Sequence, residues 1–207
     1  MATGLRERRK QETRLAISDV ATALFIEHGF DEVTISQVAD AAGVAKMTVT
    51  NYFPRKEDLV FDRAGSVIAH LAAVIAGRAA GESFLAAIRR DYADSLAAGD
   101  GTAGVTSPGF AAMVSGSPAL SARGAEIASL QEQALGDALA AETGTDTPQQ
   151  RLATAQLAGA TRVLYAEASR LSLAGQPGEQ ITAALAAAAS DVFGLLEPSL
   201  GGYGARR

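Results

Sequence analysis

Side chains that can pair with DNA bases are spaced along one face of a short polar segment. Lys46 can donate to guanine O6 and N7, and Asn51 can pair with adenine N6 and N7. Thr50 carries a methyl group that can contact the methyl of thymine. Val49 and Phe53 lie four residues apart and fall on the inward side of the same helix. The pattern therefore predicts a short helix whose polar face reads base edges in a DNA groove.

A second helix and a tight turn are predicted directly before this segment. Thr34 stands at the start, where its hydroxyl can accept from a free amide of the first turn. Gly43 follows, and a residue without Cβ lets the chain pass through a left-handed conformation. The apolar residues between them share one helix face: Ile35, Val38, Ala39 and Ala42. With Pro54 ending the reading helix, the segment is predicted to form a helix-turn-helix.

The run 29–59 resembles the helix-turn-helix of the TetR family of transcriptional repressors. The residues that match the family pattern are Thr34, Ala39, Gly43, Val44, Thr48, Val49, Tyr52, Phe53, Lys56, Glu57 and Leu59. The resemblance covers the first quarter of the chain. It departs from the pattern at Thr50, where the family often has Tyr, so Thr50 and Asn51 are candidates for a site preference particular to this chain.

The resemblance implies an all-α protein of about nine helices, with a DNA-binding domain over 1–55 and a ligand-binding and dimerisation domain over 56–200. The tail 201–207 is predicted to be disordered. In the family, the Tyr52 hydroxyl and the Lys56 ammonium would contact backbone phosphates. The DNA-binding candidates are Thr34, Ser36, Gln37, Ala45, Lys46, Met47, Thr48, Thr50, Asn51, Tyr52 and Lys56. The alternative is a helix-turn-helix that never touches DNA, with Tyr52 and Phe53 as ordinary core aromatics.

Basic residues are placed on both sides of the predicted reader, although the chain as a whole is acidic. The chain carries 18 basic and 23 acidic residues, a net charge of -5. Basic clusters that flank a reading helix suit phosphate contacts, which fix register while groove contacts read sequence. The N-terminal cluster could equally be a frayed, solvated helix start. The clustered residues are Arg6, Arg8, Arg9, Lys10 and Arg14 before the reader, and Arg55 and Lys56 after it.

Composition predicts a binding protein and argues against an enzyme. With 207 residues, of which 48% are hydrophobic, the chain can bury the core of one large or two small domains. It has no cysteine and two histidines, and it shows no acid-base couple, metal cluster or phosphate loop of recognisable spacing. We therefore expect no enzymatic activity, no catalytic residue, no metal and no cofactor.

The sequence also predicts a cytoplasmic protein without a membrane partner. Absence of cysteine fits a reducing compartment. The start MATGLRERRK is charged and has no apolar core, unlike a signal peptide. The longest uncharged stretch, 101–122, is broken by prolines and glycines and is not expected to span a bilayer.

Periodicity predicts helices along the whole chain. Gly29 is expected to stop the first helix, and Pro108 and Pro118 suit first helical turns. The Gly/Ser/Thr-rich stretch 99–107 is predicted to be a mobile loop. Besides the two reader helices and one that begins at residue 108, the predicted helices are 7–28, 56–80, 83–98, 118–142, 148–173 and 177–196.

The last two helices are apolar over more than one face. A helix with two buried faces needs two neighbours, and one of them can be a partner subunit. We predict a two-fold homodimer built as a four-helix bundle, the alternative being that the alanines pack inside one monomer. The interface candidates are Leu157, Ala160, Leu164, Ala168, Leu171, Leu185, Ala188 and Val192, and a second line of small residues runs through Gly159, Val163 and Ala166.

The segment 70–165 is where the resemblance implies an effector pocket. Its aromatic and polar side chains are few among many alanines, which favours a hydrophobic ligand with one anion or hydroxyl held by Arg or Tyr. Each candidate could instead be core or surface, and His70 is interpreted as a packed histidine. The candidates are Phe84, Tyr92, Phe110, Met113, Arg123, Arg162 and Tyr165.

These predictions describe a DNA-binding transcriptional regulator. The favoured form is a ligand-released repressor that binds a palindromic operator as a homodimer. Two alternatives stay open on the sequence: an activator, or a helical interaction or ligand-sensing module with little DNA binding.

Overall fold

The chain is all-helical in the computed structural model, which describes residues 2–99 and 103–205, with side chains from residue 8 onward. The elements in chain order are α1 Ala2–His28, α2 Ile35–Ala41, α3 Lys46–Tyr52, a 3₁₀ helix Lys56–Leu59, α4 Ala64–Gly77, α5 Phe84–Ala98, α6 Pro108–Gly116, α7 Pro118–Thr143, α8 Pro148–Leu173 and α9 Gly178–Leu200. The described residues include no strand, which confirms the predicted fold class. Residues 100–102 of the predicted loop lie outside the described part.

The chain divides into two compact units, and their limits differ from the predicted domains. The first unit combines Met1–Gly65 with Ala112–Gly124, and the second combines Ser66–Ala111 with Ala125–Arg207. A boundary at residue 55 was expected from the end of the helix-turn-helix pattern. Contacts between residues far apart in sequence extend the first unit through residue 65 and add the end of α6 and the start of α7 to it.

The predicted helix 56–80 is wrong at its start, because α4 begins only at Ala64. Residues Lys56–Leu59 form a single 3₁₀ turn before α4 instead of its first turn. A buried side chain of α1 fastens this turn, because Ser18 Oγ donates to the carbonyl of Leu59 at 2.7 Å.

The second unit has a core to which α5, α8 and α9 contribute, with α9 packed against both of the others. Pro108, Pro118 and Pro148 begin α6, α7 and α8 as predicted, since proline suits the first turn of a helix. Thr147 caps α8 by accepting from Gln150 N at 3.2 Å. The buried residues of this core include Leu85, Ile88, Tyr92, Leu135, Leu157, Leu164, Leu185 and Phe193.

The C-terminal tail packs against the second unit, so its predicted disorder is wrong for the residues that the structure describes. The Tyr203 ring lies edge-on to Phe84 with centroids 5.7 Å apart, and the Tyr203 carbonyl accepts from Phe84 N at 3.3 Å. The buried Arg78 guanidinium donates to the Gly204 carbonyl at 3.1 Å. Gly204 has φ +68°, and a Cβ there would stand 2.1 Å from the Phe84 ring. The tail is therefore fastened by contacts that hydropathy does not reveal. Its last two residues lie outside the described part.

The helix α9 is apolar on both sides and ends at Leu200, one turn beyond the predicted end. Among the described residues it is the one helix with the length and composition to cross a membrane. Its inner side is part of the core through Ile181, Leu185 and Phe193. Its outer side is exposed, and Asp191 also lies there. The core contacts account for one apolar side of α9 and leave the other without cover in the monomer.

Candidate functional site

The helix-turn-helix is held by a capping box and a left-handed glycine. Thr34 Oγ1 accepts from Gln37 N at 3.2 Å, and Gln37 Oε1 accepts from Thr34 N at 2.7 Å. Gly43 follows α2 with φ +66°, a conformation that favours glycine. Val44 N then donates to the carbonyl of Ala39 at 3.0 Å and closes the turn. The predicted cap and turn are both confirmed by this geometry.

The helix α3 has one buried face and one exposed face. Val49 is fully buried and Phe53 is 1% exposed, so this side packs into the first unit. Lys46 and Asn51 are exposed, and neither side chain has a hydrogen-bond partner within the part of the chain that the structure describes. Met47 is 69% exposed. The buried and exposed sides of α3 agree with the predicted pattern, and contact of the exposed side chains with bases stays a prediction.

An apolar patch accompanies the two polar groups on this face. The Thr50 hydroxyl donates to the carbonyl of Met47 at 3.1 Å and lies 3.8 Å from its sulfur. Because the hydroxyl donates its proton within the helix, the Thr50 methyl and the Met47 thioether form the apolar part of this face. Groups of this kind suit the thymine methyl in the major groove.

The other DNA-binding candidates differ in exposure and bonding. Ser36 and Ala45 are exposed. Thr34 and Gln37 are also exposed but are bonded to each other in the capping box. Thr48 and Tyr52 are half-buried. The open surface beside the turn is therefore formed by the starts of α2 and α3.

Lys56 lies inward and not towards open surface. Its ammonium donates to the carbonyl of Phe30 and lies 4.4 Å from the centre of the Phe30 ring. Burial lowers the pKa of Lys56, and the nearby Asp31 carboxylate acts in the opposite direction. The side chain ties the 3₁₀ helix to the loop after α1. The phosphate contact implied by the family would require Lys56 to leave this position, and it stays a prediction.

Arg14 positions the reading helix, a role that sequence reasoning missed. Its guanidinium donates to the carbonyl of Tyr52 at 2.7 Å and to that of Asp62 at 2.9 Å. It also stacks over the Phe53 ring, 4.4 Å from the ring centre. The available signal was periodicity, because Arg14 lies three residues before Ile17 on the inward face of α1. Arg14 therefore fastens the end of α3 to α1 and is not a surface cation.

The other described side chains of the N-terminal basic cluster lie at the surface. Arg8 Nε donates to Glu12 Oε1 at 3.1 Å, one turn along α1. Arg9 and Lys10 are exposed. The Arg6 side chain lies outside the described residues. Two exposed cations of the predicted cluster thus lack a carboxylate partner among the described residues.

Arg123, a ligand candidate, lies in the first unit and binds a carboxylate there. Its Nη2 and Nε atoms lie 2.8 Å and 3.1 Å from Asp58 Oδ1. The other oxygen of Asp58 accepts from Arg55 N at 3.2 Å. The pair fastens the start of α7 to the 3₁₀ helix. Arg123 therefore forms a structural ion pair in the first unit, and its predicted contact with an effector stays a prediction.

The remaining ligand candidates are scattered, and the structure brings only two of them together. Phe84 packs under Arg78, 4.5 Å from the guanidinium, and Arg162 Nη1 lies 3.3 Å from Glu132 Oε2 at the surface. Met113 belongs to the first unit and Phe110 to the second. Tyr92 and Tyr165 line one small cavity.

That cavity lies in the second unit among α4, α5, α7 and α8. The volume open to the centre of a water molecule is about 10 Å³, which suits a single water. Two residues at its mouth were not predicted as a site: His70 Nε2 lies 2.7 Å from Asp91 Oδ2. The available signal was a histidine on the otherwise apolar face of α4. The lining residues are His70, Leu71, Ile88, Asp91, Tyr92, Ser95, Gln131, Thr161 and Tyr165.

Most of the predicted dimer residues face the core of their own chain. Six of the eight are at most 6% exposed: Leu157, Ala160, Leu164, Ala168, Leu171 and Leu185. Ala188 and Val192 are half-buried. The prediction of these six as interface residues is wrong, because α8 carries two apolar stripes and the longer one packs within the monomer.

The second stripe of α8 is the exposed one. Leu152 is 60% exposed and Val163 is 56% exposed, and Ala155, Gly159 and Ala166 share their side of the helix. On α9, Leu195 is 81% exposed beside Ala183, Ala187 and Gly194. An open groove of about 180 Å³ between the start of α8 and the end of α9 adjoins this stripe at Leu152. We call these residues of α8 and α9 the small-residue face.

A polar helix presented outward after a glycine turn defines a helix-turn-helix domain of the nucleic-acid-binding kind. Residues 17–62 match the family model described as bacterial regulatory proteins, tetR family. The predicted resemblance to the TetR family is confirmed over these residues.

Two curated regulators resemble part of the chain. The sequence named MftR from Mycobacterium tuberculosis is 40% identical over 65 residues, which is 31% of this chain and 31% of MftR. The HTH-type transcriptional regulator TcmR of Streptomyces glaucescens is 31% identical over 85 residues, 41% of this chain and 38% of TcmR. The matched segments thus span less than two fifths of either relative.

A solved structure shares the fold over nearly the whole chain. FadR from Bacillus subtilis, determined in complex with stearoyl-CoA, aligns with 91% of this chain and 98% of its own, at a TM-score of 0.54 and 23% identity. At this identity the likeness shows the fold alone. The helical architecture of the described residues is therefore shared with FadR.

Proposed function

We propose that the protein is a cytoplasmic transcriptional repressor that binds a palindromic operator as a homodimer and is released by a small-molecule effector. The observation that carries the proposal is the exposed face of α3. Lys46 and Asn51 point outward there while Val49 is buried, and all three lie within the residues that match the TetR family model. A face of this kind is what major-groove readout needs.

The balance of charge supports specific over general binding. The chain carries a net charge of -5, so it is not a polycation that would coat any duplex. The exposed cations Arg9 and Lys10 lie on α1, in the same unit as the reader. A few placed cations can fix register on the phosphates while α3 reads bases. The expected binding is therefore sequence-dependent as well as salt-dependent.

The small-residue face supports a dimer. Small side chains at the surface of two neighbouring helices allow close approach of a second pair, which gives a four-helix bundle. A two-fold axis through this face would bury Val163 and Leu195. Leu195 is the most exposed large aliphatic residue of α9, and Val163 is second to Leu152 on α8. Two reading helices related by that axis would address half-sites about 34 to 36 Å apart, or a multiple of this spacing.

Release by an effector requires a ligand that prefers the form unable to bind DNA. FadR from Bacillus subtilis, which shares the fold, was determined with stearoyl-CoA bound. In this chain the small cavity of the second unit is the candidate site. By linkage, operator DNA must weaken the ligand by the same factor as the ligand weakens operator DNA.

A mobility-shift assay with DNA from upstream of the gene tests the proposal. We expect a retarded complex with wild type and a weaker one with Asn51→Ala. Gln133→Ala, which removes an exposed amide from α7, is the matched control and should bind as wild type does. Absence of any sequence-dependent complex would favour a helical sensing or interaction module instead.

A further inference from the structure

The cavity of the second unit has a charge that limits what it can bind. Its lining includes one carboxylate, Asp91, and one imidazole, His70, which face each other at 2.7 Å. No lysine or arginine stands among the described residues that line it. The predicted arginines pair with Asp58 and Glu132 elsewhere. An anionic ligand would therefore meet a carboxylate and lack a permanent cation to bind it.

The phenol rings of Tyr92 and Tyr165 also line the cavity. The Tyr92 hydroxyl lies 3.4 Å from the carbonyl of Ala103, and burial raises the pKa of Tyr92 to about 12, so its phenol stays neutral. The backbone of Gly104 lies against Tyr165: a Cβ there would stand 2.5 Å from the ring. Tyrosine rings beside a carboxylate are groups that attract a cation. Ser95, Gln131 and Thr161 add hydroxyl and amide oxygens at the cavity wall.

The size of the cavity selects the part of a ligand that it can hold. Its volume of about 10 Å³ suits one water, and an ammonium group is of similar size. The side chains of His70 and Asp91 are 33% and 23% exposed, so the cavity opens to solvent beside them. A ligand stem can leave by this opening while its head group stays inside.

We propose that this cavity is the effector site and that it takes the ammonium group of a small organic amine, with Asp91 as its counter-ion. The ammonium donates to the carboxylate in place of His70 and lies beside the Tyr92 and Tyr165 rings. This inference rests on the proposed function, and it replaces the hydrophobic effector that composition predicted. It also separates this chain from an acyl-CoA receptor, because the lining offers no cation for phosphates.

Matched ligands test the inference on the wild-type full chain. Benzylamine, benzyl alcohol and benzoate share a ring and differ in the head group, and butylamine, butanol and butyrate repeat the comparison with an alkyl stem. We expect calorimetry to show that the amines bind at least about tenfold more tightly than the alcohols, the ratio that corresponds to one charge-assisted hydrogen bond. Equal affinity of amine and alcohol, no amine binding, or preferential binding of benzoate or stearoyl-CoA would overturn it.

Two variants locate the site. Asp91→Asn keeps the shape of the side chain and should weaken benzylamine by about tenfold or more. Asp94→Asn on the same helix is the control, since Asp94 is 72% exposed and pairs with Arg90 at 3.7 Å. The control should bind benzylamine as wild type does. An unchanged affinity in folded Asp91→Asn, checked by circular dichroism, would contradict the assignment, and the wild-type ligand series decides the question if that variant does not fold.

DNA binding is measured separately so that the two proposals can fail independently. A wild-type chain that binds its DNA but shows no preference for amines would contradict the amine site and leave the proposed function standing. A chain that binds amines through Asp91 but no DNA would keep the site and remove the proposed function.

Discussion

A few side chains determine which face of α3 is exposed. Val49 and Phe53 anchor the helix in the first unit, and this fixes Lys46 and Asn51 on the open side. The Thr50 hydroxyl donates its proton within the helix, so in this position it has no proton left to donate to a base edge. The reader therefore combines one cation, one amide and an apolar patch.

Replacing Asn51 by Ala should relax sequence preference and leave the fold unchanged. The amide can make a bidentate contact with adenine, so its loss should cost about 1 to 3 kcal/mol and flatten the preference at one base position per half-site. Lys46→Ala should do the same at a different position. Binding profiles on single-base operator variants measure the effect. A profile that is identical in wild type and Asn51→Ala would show that Asn51 is not a reader.

Tyr92 should make stability fall at alkaline pH. Burial raises its pKa from 10.0 to about 12, with a smaller contribution from Tyr165. The unfolded chain loses this proton at lower pH than the native chain, so the free energy of unfolding should drop by about 2 kcal/mol between pH of about 10 and 12. Tyr92→Phe should remove that part of the drop. Urea titrations over this range measure it, with Tyr52→Phe as control, and parallel pH curves for wild type and Tyr92→Phe would contradict the account.

Whole helices were predictable where local chemistry sets their ends. Proline at residues 108, 118 and 148 marked three helix starts, and Thr34 with Gly43 marked the helix-turn-helix. The stretch after α3 was not predictable in this way. Its carbonyls accept from Ser18 and Arg14, partners more than forty residues earlier, and no local pattern encodes such bonds.

Arg14→Met should loosen the reading helix without touching its outward face. The change keeps the stem but removes hydrogen bonds to the carbonyls of Tyr52 and Asp62. We expect the free energy of unfolding to fall by about 1 to 3 kcal/mol. Operator and scrambled DNA should both be bound more weakly, because no base contact is lost. Denaturation and mobility shifts measure both effects, with exposed Arg9→Met as control. An Arg14→Met chain as stable as the control would refute the positioning role.

The two stripes of α8 show a second limit of sequence reasoning. The stripe through Leu157 and Leu164 and the stripe through Gly159 and Val163 both repeat at helical spacing. Periodicity identifies apolar faces but does not tell which of two faces packs within the chain. Burial decides it: the first stripe lies in the core and the second is exposed.

At the level of the whole molecule, the small-residue face should control assembly. Val163→Arg places a charge at an exposed position of that face, so we expect a folded monomer that loses operator binding. Light scattering and mobility shifts measure the two effects. Ala93→Arg, at an exposed position of α5, should stay dimeric. Ala160→Arg would instead unfold the chain, because Ala160 is 6% exposed within the monomer. A Val163→Arg protein that remains a dimer would remove this face from the interface.

Selection of bound duplexes from a random pool tests the central claim most directly, because it needs no knowledge of the operator. The full chain is mixed with random duplex DNA, bound molecules are amplified over several rounds, and wild type is compared with the Lys46→Ala, Asn51→Ala double variant. Wild type should enrich an inverted repeat with half-sites about 34 to 36 Å apart, or a multiple of this. The double variant should enrich no such repeat. A wild-type pool that stays random, or the same motif enriched by both proteins, would contradict the assignment of α3 as the element that reads DNA.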